Sequence, residues 1–393
     1  MRLCDGRSVV TRCTLPDAPE SISAWLGAAG IAPVLSARTR TLRLTPDDVM
    51  ATPNGGPLDG HDPHGVWQEG AAYARWAPSP HNVQPWLLRV VSPAHCELLY
   101  NPVRLLPKTD PTSAFTIMGL TMFAEYLSAA VAPRGYAVRA EYIARPLDYS
   151  ATRPTLFANL ELVPKGIHPV IDRSVILKRQ TSRLPYNGQR VEEHSMKAVA
   201  AIATNMGHTF EWSSNEVDVE WMIELNRFTL FDDLDRVPER TELRRWIRTS
   251  REEAAQKKDG LWSECLRFPG WLLKAFFDDH QKWGSGWRAS VLGKALVLGM
   301  NGTRTVAWWS GPFAEPAHWI QAGRVLGQSW LELATRGIQI IHLGRSSPIR
   351  RRTHVSSRNW GRLRPPIPCG WRWGWDEAMP PREAIGLTSV PFL

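Results

Sequence analysis

The chain has 393 residues, enough for two domains or for one large domain with insertions. With 43% hydrophobic and 22% charged residues, its composition excludes a disordered protein. The net charge of +9 favours an anionic ligand or partner.

The five cysteines are widely scattered and form no CxxC pair, so neither a disulfide framework nor a zinc site is supported. Residues 22–35 are mildly apolar but too short to span a bilayer, and they follow Asp17 and Glu20, unlike a secretory signal. His61 and His64 have no third ligand suggested nearby, so no metal site is predicted. We therefore expect a soluble, cytoplasmic protein with no membrane contact.

Residues 1–60 form an irregular N-terminal extension that ends in a linker rich in glycine and proline. The pattern then predicts a helix over residues 66–76 and a strand over residues 87–91. Between them lies the loop of residues 77–86, whose sequence is APSPHNVQPW. Prolines fix φ and remove backbone donors, so such a loop is rigid and can present polar side chains to a ligand. An ordinary helix-to-strand turn explains the segment alone equally well.

A repeated pattern follows. Residues 97–100 are expected to pair with the first strand, and residues 113–132 read as a helix containing Gly119, before a strand over residues 136–143. A similar helical stripe containing Gly323 precedes a strand over residues 338–343. The similarity indicates two related halves that pack as an internal pseudo-dimer, with chance similarity as the alternative.

Residues 155–163 are predicted to form a strand, and residues 179–183 read Arg-Gln-Thr-Ser-Arg. Two guanidinium groups with a hydroxyl between them suit a phosphate, because each can donate bidentate, charge-assisted hydrogen bonds. An exposed basic turn is the alternative.

Residues 221–300 are rich in tryptophan and resemble helical insertions over a pocket, although core and interface packing is the commoner use of tryptophan. Strands are then predicted over residues 305–310 and 370–375. The stretch of residues 345–364 holds seven arginines and no acidic residue. A solvated basic loop is favoured there over a phosphate clamp or a nucleic-acid patch, since no aromatic residue is interleaved before Trp360.

Together, the 77–86 loop and the 179–186 segment resemble the nitroreductase superfamily of FMN-binding proteins, and most closely its two-domain Acg-like branch. The loop matches the family's APSxHNxQPW-type motif, and the second segment matches its RxTxRLPF-like element. The matching residues are Ala77, Pro78, Ser79, His81, Asn82, Gln84, Pro85 and Trp86, with Arg179, Thr181, Arg183, Leu184, Pro185 and Tyr186.

The resemblance implies an α+β fold of two tandem nitroreductase-like α/β halves, residues 61–165 and 166–393, that form an intramolecular pseudo-dimer with FMN between them. Residues from the first half would contact the ring or ribityl chain, and residues from the second half would hold the phosphate. These cofactor-binding residues would be Ser79, Asn82 and Gln84 on one side, and Arg179, Thr181, Arg183 and Arg382 on the other.

One FMN per chain is expected. The second half lacks a Pro-Ser-x-His-Asn loop, and residues 231–246 contain Asp-Asp-Leu-Asp, which would repel a phosphate; Arg40, Thr41 and Arg43 could be a decayed copy of the phosphate element. The chain would be a monomer with an internal pseudo-dimer, or a homodimer.

The family implies an FMN-dependent oxidoreductase that transfers hydride between FMN and a small aromatic or nitrogen-containing substrate, with NAD(P)H as a candidate donor. Because the flavin carries the chemistry, no catalytic side chain is assigned. The alternative is a catalytically silent protein that binds and sequesters FMN.

Overall fold

The computed structural model describes residues 63–165, 172–284, 286–342 and 383–389. Several segments named above lie outside these residues. They are the N-terminal extension with Arg40, Thr41 and Arg43, the arginine-rich stretch 345–364, the strand predicted over residues 370–375, and Arg382.

The first part of the fold is a helix pair on a four-stranded antiparallel sheet, with strand order β1-β2-β4-β3. The predicted helices and strands of this region are confirmed to within three residues at their ends. The elements are α1 (Pro63–Ala74), β1 (Trp86–Ser92), β2 (His95–Tyr100), α2 (Ala114–Val131), β3 (Tyr136–Tyr142) and β4 (Thr155–Pro164).

The second part contains another four-stranded antiparallel sheet and a helical insertion. The insertion separates β5 from β8, which are neighbours in the sheet. The elements are α3 (Ser174–Lys178), α4 (Glu193–Asn205), β5 (Thr209–Ser213), α5 (Glu216–Asp235), α6 (Val237–Trp246), β6 (Ile247–Arg248), α7 (Arg251–Lys257), β7 (Leu261–Trp262), α8 (Gly270–Asp278), α9 (His280–Trp283), α10 (Gly286–Leu298), β8 (Thr305–Ser310), α11 (Pro316–Thr335), β9 (Ile338–His342) and β10 (Glu383–Ser389).

The strand β10 was not predicted from the sequence. It pairs with β8 on one side and with β9 on the other, so it lies inside the second sheet, whose order is β5-β8-β10-β9. Its sequence, EAIGLTS, has a glycine at the centre, which weakens any strand pattern. Pairing on both sides supplies the stability that local propensity does not.

The two sheets have the same strand order relative to their long helices. In each, two paired strands (β1 and β2, or β5 and β8) precede the long helix, α2 or α11. The strand after that helix, β3 or β9, lies at the sheet edge, and the next strand, β4 or β10, lies second from that edge. Helices and antiparallel sheets thus combine in an α+β architecture.

The centre of the fold is the contact between α2 and α11. A Cβ added at Gly323 of α11 would lie 2.8 Å from both the Cα and the carbonyl oxygen of Met118 in α2. Only a glycine permits this approach of two helix backbones. Around the contact, Leu120 and Leu127 of α2 and Leu333 of α11 have no exposed surface.

Among the described residues, one helical segment, Ala114–Arg134, has the length and composition to cross a membrane. It consists of α2 with the turn that follows, and 78% of its apolar window is buried inside the protein. A helix that is apolar on all sides is expected at the centre of a large core, which is consistent with a soluble protein. The cytoplasmic location stays a prediction.

The contact between α2 and α11 predicts different changes in stability when two glycines of α11 are replaced by alanine. We expect Gly323→Ala to lower the free energy of unfolding by about 1 to 3 kcal/mol, because the new methyl group meets backbone atoms that cannot move independently. At Gly327 the nearest atom is Met122 Cγ at 3.2 Å, in a flexible side chain. Gly327→Ala should therefore be neutral, or stabilising through helix propensity. Urea denaturation measures both; equal destabilisation would contradict the assigned contact.

Candidate functional site

The 77–86 loop has an unusual backbone. His81, Asn82 and Gln84 have φ angles of 48°, 54° and 50°, in the left-handed region. Residues with a Cβ lose roughly 1 to 2 kcal/mol each in that region, with asparagine the best tolerated. Such strain concentrates at ligand-binding and active sites, where the surrounding structure holds it. The loop is therefore a candidate site on its geometry as well as its sequence.

Close contacts to α2 and to neighbouring loops hold this strained backbone. A Cβ at Gly119 of α2 would lie 3.5 Å from both the Pro78 carbonyl oxygen and Ser79 Cα. The Gln84 backbone N–H donates to Ser79 Oγ over 3.0 Å. Val83 is fully buried in a small cluster with Leu106 and Trp246. The hydroxyl of Ser79, predicted to contact a cofactor, thus also closes the loop on itself.

The side-chain amides of the loop bond to the insertion. Asn82 Nδ2 donates to the Gly260 carbonyl over 3.0 Å, and the Gly260 N–H donates to the Asn82 carbonyl over 3.0 Å. Gln84 Nε2 donates to the Lys258 carbonyl over 2.9 Å. Both amides predicted to contact a cofactor therefore meet the turn of residues 258–260, which follows α7.

An ion-pair network that the sequence did not indicate secures this turn. Asp259 accepts hydrogen bonds from Arg248 Nη2 at 2.6 Å and from Arg104 Nη1 at 2.9 Å. Both guanidinium groups lie about 6 Å from the ring centre of Trp246. Arg104 Nη1 also donates to the Val83 carbonyl over 2.6 Å, so the network reaches the loop itself. More than 140 residues separate Asp259 from Arg104 in sequence, and no local pattern could have joined them.

Arg179 lies between the two parts of the fold and is half-buried as a whole residue. Its Nη2 donates to the Trp76 carbonyl over 3.0 Å, and its guanidinium carbon lies 4.6 Å from the ring centre of Trp330 and 6.0 Å from that of Tyr126. Burial lowers the pKa of this arginine below its usual value. Its Nε and Nη1 are buried without a partner among the described residues. The alternative of an exposed basic turn does not describe this side chain.

The neighbouring predicted residues run along the edge of the second sheet. Thr181 forms a parallel bridge with Ile340 of β9, and the Ser182 N–H donates to the Ile340 carbonyl over 2.8 Å. Burial lowers the pKa of Arg183 below its usual value. Cys265 and Tyr186 partly oppose this shift, and neither of them is a carboxylate. Arg179 packs against aromatic rings of α2 and α11, and Cys265 of the insertion lies near Arg183.

The loop and Arg179 both lie against α2. Gly119 touches the loop and Tyr126 faces Arg179. These residues are seven positions apart on the helix, which corresponds to about 10 Å along its axis. One helix thus brings together the two segments that the sequence paired, and Arg382 lies outside the described residues.

A second carboxylate anchor joins the insertion to the first part of the fold. Glu242 of α6 accepts hydrogen bonds from the Thr109 N–H and Oγ1, both at 2.7 Å, and from the Lys108 N–H at 3.1 Å. Next to it, buried Asp110 accepts from the N–H and Oγ1 of Thr116 over 2.8 and 2.7 Å. Burial raises the pKa of Asp110 to about 6, and the charge of Glu242 adds to this effect.

A surface cavity of about 500 Å³ lies elsewhere, beside α4 and α11, and contains none of the predicted site residues. The arginine in its lining, Arg324, is already paired with Glu125 at 2.9 Å. Its lining residues are Ile202, Asn205, Met206, Gln321, Arg324 and Gln328.

Comparison with known proteins gives no family for this chain: no protein-family model matches it, and no curated protein matches it.

The raised pKa of Asp110 predicts a specific pH dependence. The folded protein holds the Asp110 proton up to about pH 6, whereas the unfolded chain loses it near pH 4. The contribution of Asp110 to stability is therefore fully present below about pH 4 and is lost as the pH rises through about 6. Relative to Asp110→Asn, the wild-type free energy of unfolding should fall by on the order of 3 kcal/mol across this range.

Urea denaturation at a series of pH values measures this difference. Asp278 is an exposed control whose pKa is lowered by its hydrogen bond with Lys274, so Asp278→Asn should change stability in the opposite direction with pH. A pH-independent difference between wild type and Asp110→Asn would contradict the assignment.

Proposed function

We propose that the protein binds one FMN per chain and acts as an FMN-dependent oxidoreductase of nitroreductase type, which transfers hydride between FMN and a small aromatic or nitrogen-containing substrate. The observation that carries this proposal is Arg179, a buried guanidinium with two unpartnered N–H groups among the described residues, beside the helix that supports the strained loop. Buried charges are normally paired, so a cation in this position favours an anionic ligand.

The surroundings of Arg179 fit a phosphate group. The indole N–H groups of Trp76 and Trp330 and the hydroxyl of Tyr126 are also buried without a partner among the described residues. All of these groups can donate hydrogen bonds, and a phosphate offers several acceptor oxygens to such donors. Arg183 and the hydroxyl of Thr181 follow on the same extended segment. The residues present thus suit a phosphate-bearing cofactor.

The two-half architecture is part of the same proposal. We infer that residues 61–165 and 166–393 are related halves of an intramolecular pseudo-dimer. The identical strand order of the two sheets supports this inference, as does the direct packing of α2 on α11. The site would then draw on both halves, with the loop from the first and residues 179–183 from the second.

Bound FMN would supply the hydride chemistry through its isoalloxazine ring. The chain's own residues would bind and orient the cofactor: Arg179, Thr181 and Arg183 would hold the phosphate, and the rigid loop would fix the ring end. The insertion, anchored by Glu242, would keep water from that end. NAD(P)H is the proposed electron donor, and the cytoplasm the proposed location.

A catalytically silent FMN-binding protein is the second candidate. It is favoured by the contact of the insertion with the loop, because Asn82 and Gln84 are already bonded to residues 258–260. An insertion that closed again over the bound flavin would leave little room for a substrate beside the loop.

Flavin binding and Arg179 are tested together. Purified protein should be yellow or should gain flavin absorbance with added FMN, and a protein that does neither contradicts both candidates. Arg179→Ala should weaken FMN binding by at least about tenfold, since a charge-assisted hydrogen bond contributes about 1.5 to 3 kcal/mol. Affinity for riboflavin, which has no phosphate, should change little. Lys178→Ala, at an exposed basic neighbour, is the control; unchanged FMN affinity in Arg179→Ala would remove that residue from the site.

Stopped-flow mixing of the FMN-loaded protein with NADPH separates the two candidates. An enzyme should show loss of the oxidised flavin absorbance, followed by its return when a nitroaromatic or quinone acceptor is added. Flavin that NADPH does not reduce, but dithionite does, indicates the silent binding protein.

A further inference from the structure

The 258–260 turn presents an ordered set of hydrogen-bonding groups to the 77–86 loop. The Lys258 carbonyl accepts from Gln84 Nε2, the Gly260 N–H donates to the Asn82 carbonyl, and the Gly260 carbonyl accepts from Asn82 Nδ2. The three distances are between 2.9 and 3.0 Å. Along the chain, the turn therefore offers an acceptor, a donor and an acceptor.

The pyrimidine edge of an isoalloxazine ring carries the same groups in the same order: a carbonyl, an imide N–H and a second carbonyl. The loop atoms that meet the turn, two side-chain amide N–H groups and one backbone carbonyl, are complementary to either partner. A ring edge and the turn cannot use these three loop atoms at the same time.

We propose that the 258–260 turn is an autoinhibitory latch. It occupies the two side-chain amides and the backbone carbonyl of the 77–86 loop that would bind the edge of a flavin ring, and it must move away before a ring binds there. This inference rests on the proposed function for its ligand, but the latch itself is a contact within the chain. It makes flavin affinity depend on an equilibrium between a closed and an open turn.

The latch combines a strained backbone with a strong electrostatic anchor. Lys258 has a φ of 54° and Gly260 a φ of 75°, so the lysine lies in a region that residues with a side chain avoid. The side chain of Asp259, which lies between them, is 10% exposed and forms ion pairs with both Arg104 and Arg248. The backbone strain favours the open position of the turn, and the ion pairs favour the closed position. The charge of Asp259 therefore controls the equilibrium between the two positions.

Asp259→Asn should therefore strengthen flavin binding. Apparent affinity is proportional to the fraction of protein in the competent state, and loss of the carboxylate charge raises that fraction. We expect the apparent Kd for FMN to decrease by about three- to tenfold. Asp278→Asn, the same change at an exposed ion pair of α8, should leave the Kd unchanged. Weaker binding by Asp259→Asn would overturn the latch, because it would make the turn a supporting part of the site.

Hydrogen exchange tests the latch without relying on flavin. In the flavin-free protein, Asp259→Asn should speed amide exchange in the peptides that contain residues 77–86 and 258–262, and leave β2 and β4 unchanged. Unchanged exchange in both peptides would overturn the proposal, even if the wild type bound no flavin at all. If the wild type binds FMN, saturation should raise exchange at 258–260 while the loop stays protected; increased protection of the turn would also overturn the proposal.

A second variant guards against misfolding of Asp259→Asn, which leaves the buried guanidinium of Arg248 and the half-buried one of Arg104 without this carboxylate. A Cβ at Gly260 would lie 2.4 Å from the Trp246 carbonyl oxygen, so Gly260→Ala displaces the turn without removing a charge. Gly188 also has a φ of 75° but nothing within 4 Å of an added Cβ, so Gly188→Ala controls for backbone strain alone. Gly260→Ala should tighten FMN binding and Gly188→Ala should not; equal effects would overturn the latch.

Discussion

The approach of α2 to α11 is the constraint on which the rest of the molecule depends. Because Gly323 has no side chain, the backbone of α11 reaches the backbone of α2 at Met118, and the two sheets are carried into place on either side. The same helix α2 contacts the 77–86 loop at Gly119, and the ring of its Tyr126 lies beside the guanidinium of Arg179. A change in the separation of the two helices would therefore move the loop and the buried arginine relative to each other.

Buried charges divide into two groups with different tasks. The carboxylates of Asp259 and Glu242 attach the helical insertion to the loops of the first part of the fold, and each is surrounded by donors that satisfy it. Arg179, in contrast, is stacked on aromatic rings and bonded to one backbone carbonyl, with two N–H groups left over among the described residues. These carboxylates attach one segment of the chain to another, whereas the guanidinium of Arg179 keeps two nitrogens without a partner among the described residues.

The sequence predicted elements well where a pattern is local. The stripe of α2, the Gly135 turn with its positive φ and the strand β3 all follow from residue spacing and glycine placement. Strand β10 did not, because a glycine-containing heptamer becomes a strand only through its two neighbours. At the site, the resemblance paired the loop with residues 179–183 and implied that Asn82 and Gln84 contact a cofactor, but no local pattern indicated that residues 258–260 meet them. That contact joins residues more than 170 positions apart, beyond the reach of any spacing rule.

The position of β10 also has a consequence for how the molecule assembles. The first sheet uses only strands from residues 86–164, so it can pair while the ribosome is still translating the second part. The second sheet cannot close until residues 383–389 have emerged, because β9 joins β8 only through β10. The 179–183 segment pairs with Ile340 of β9, so it cannot complete its contacts before β9 has been synthesised. During synthesis the edge of β8 that pairs with β10 thus stays open until residues 383–389 have emerged, and an open strand edge is prone to pairing with other chains.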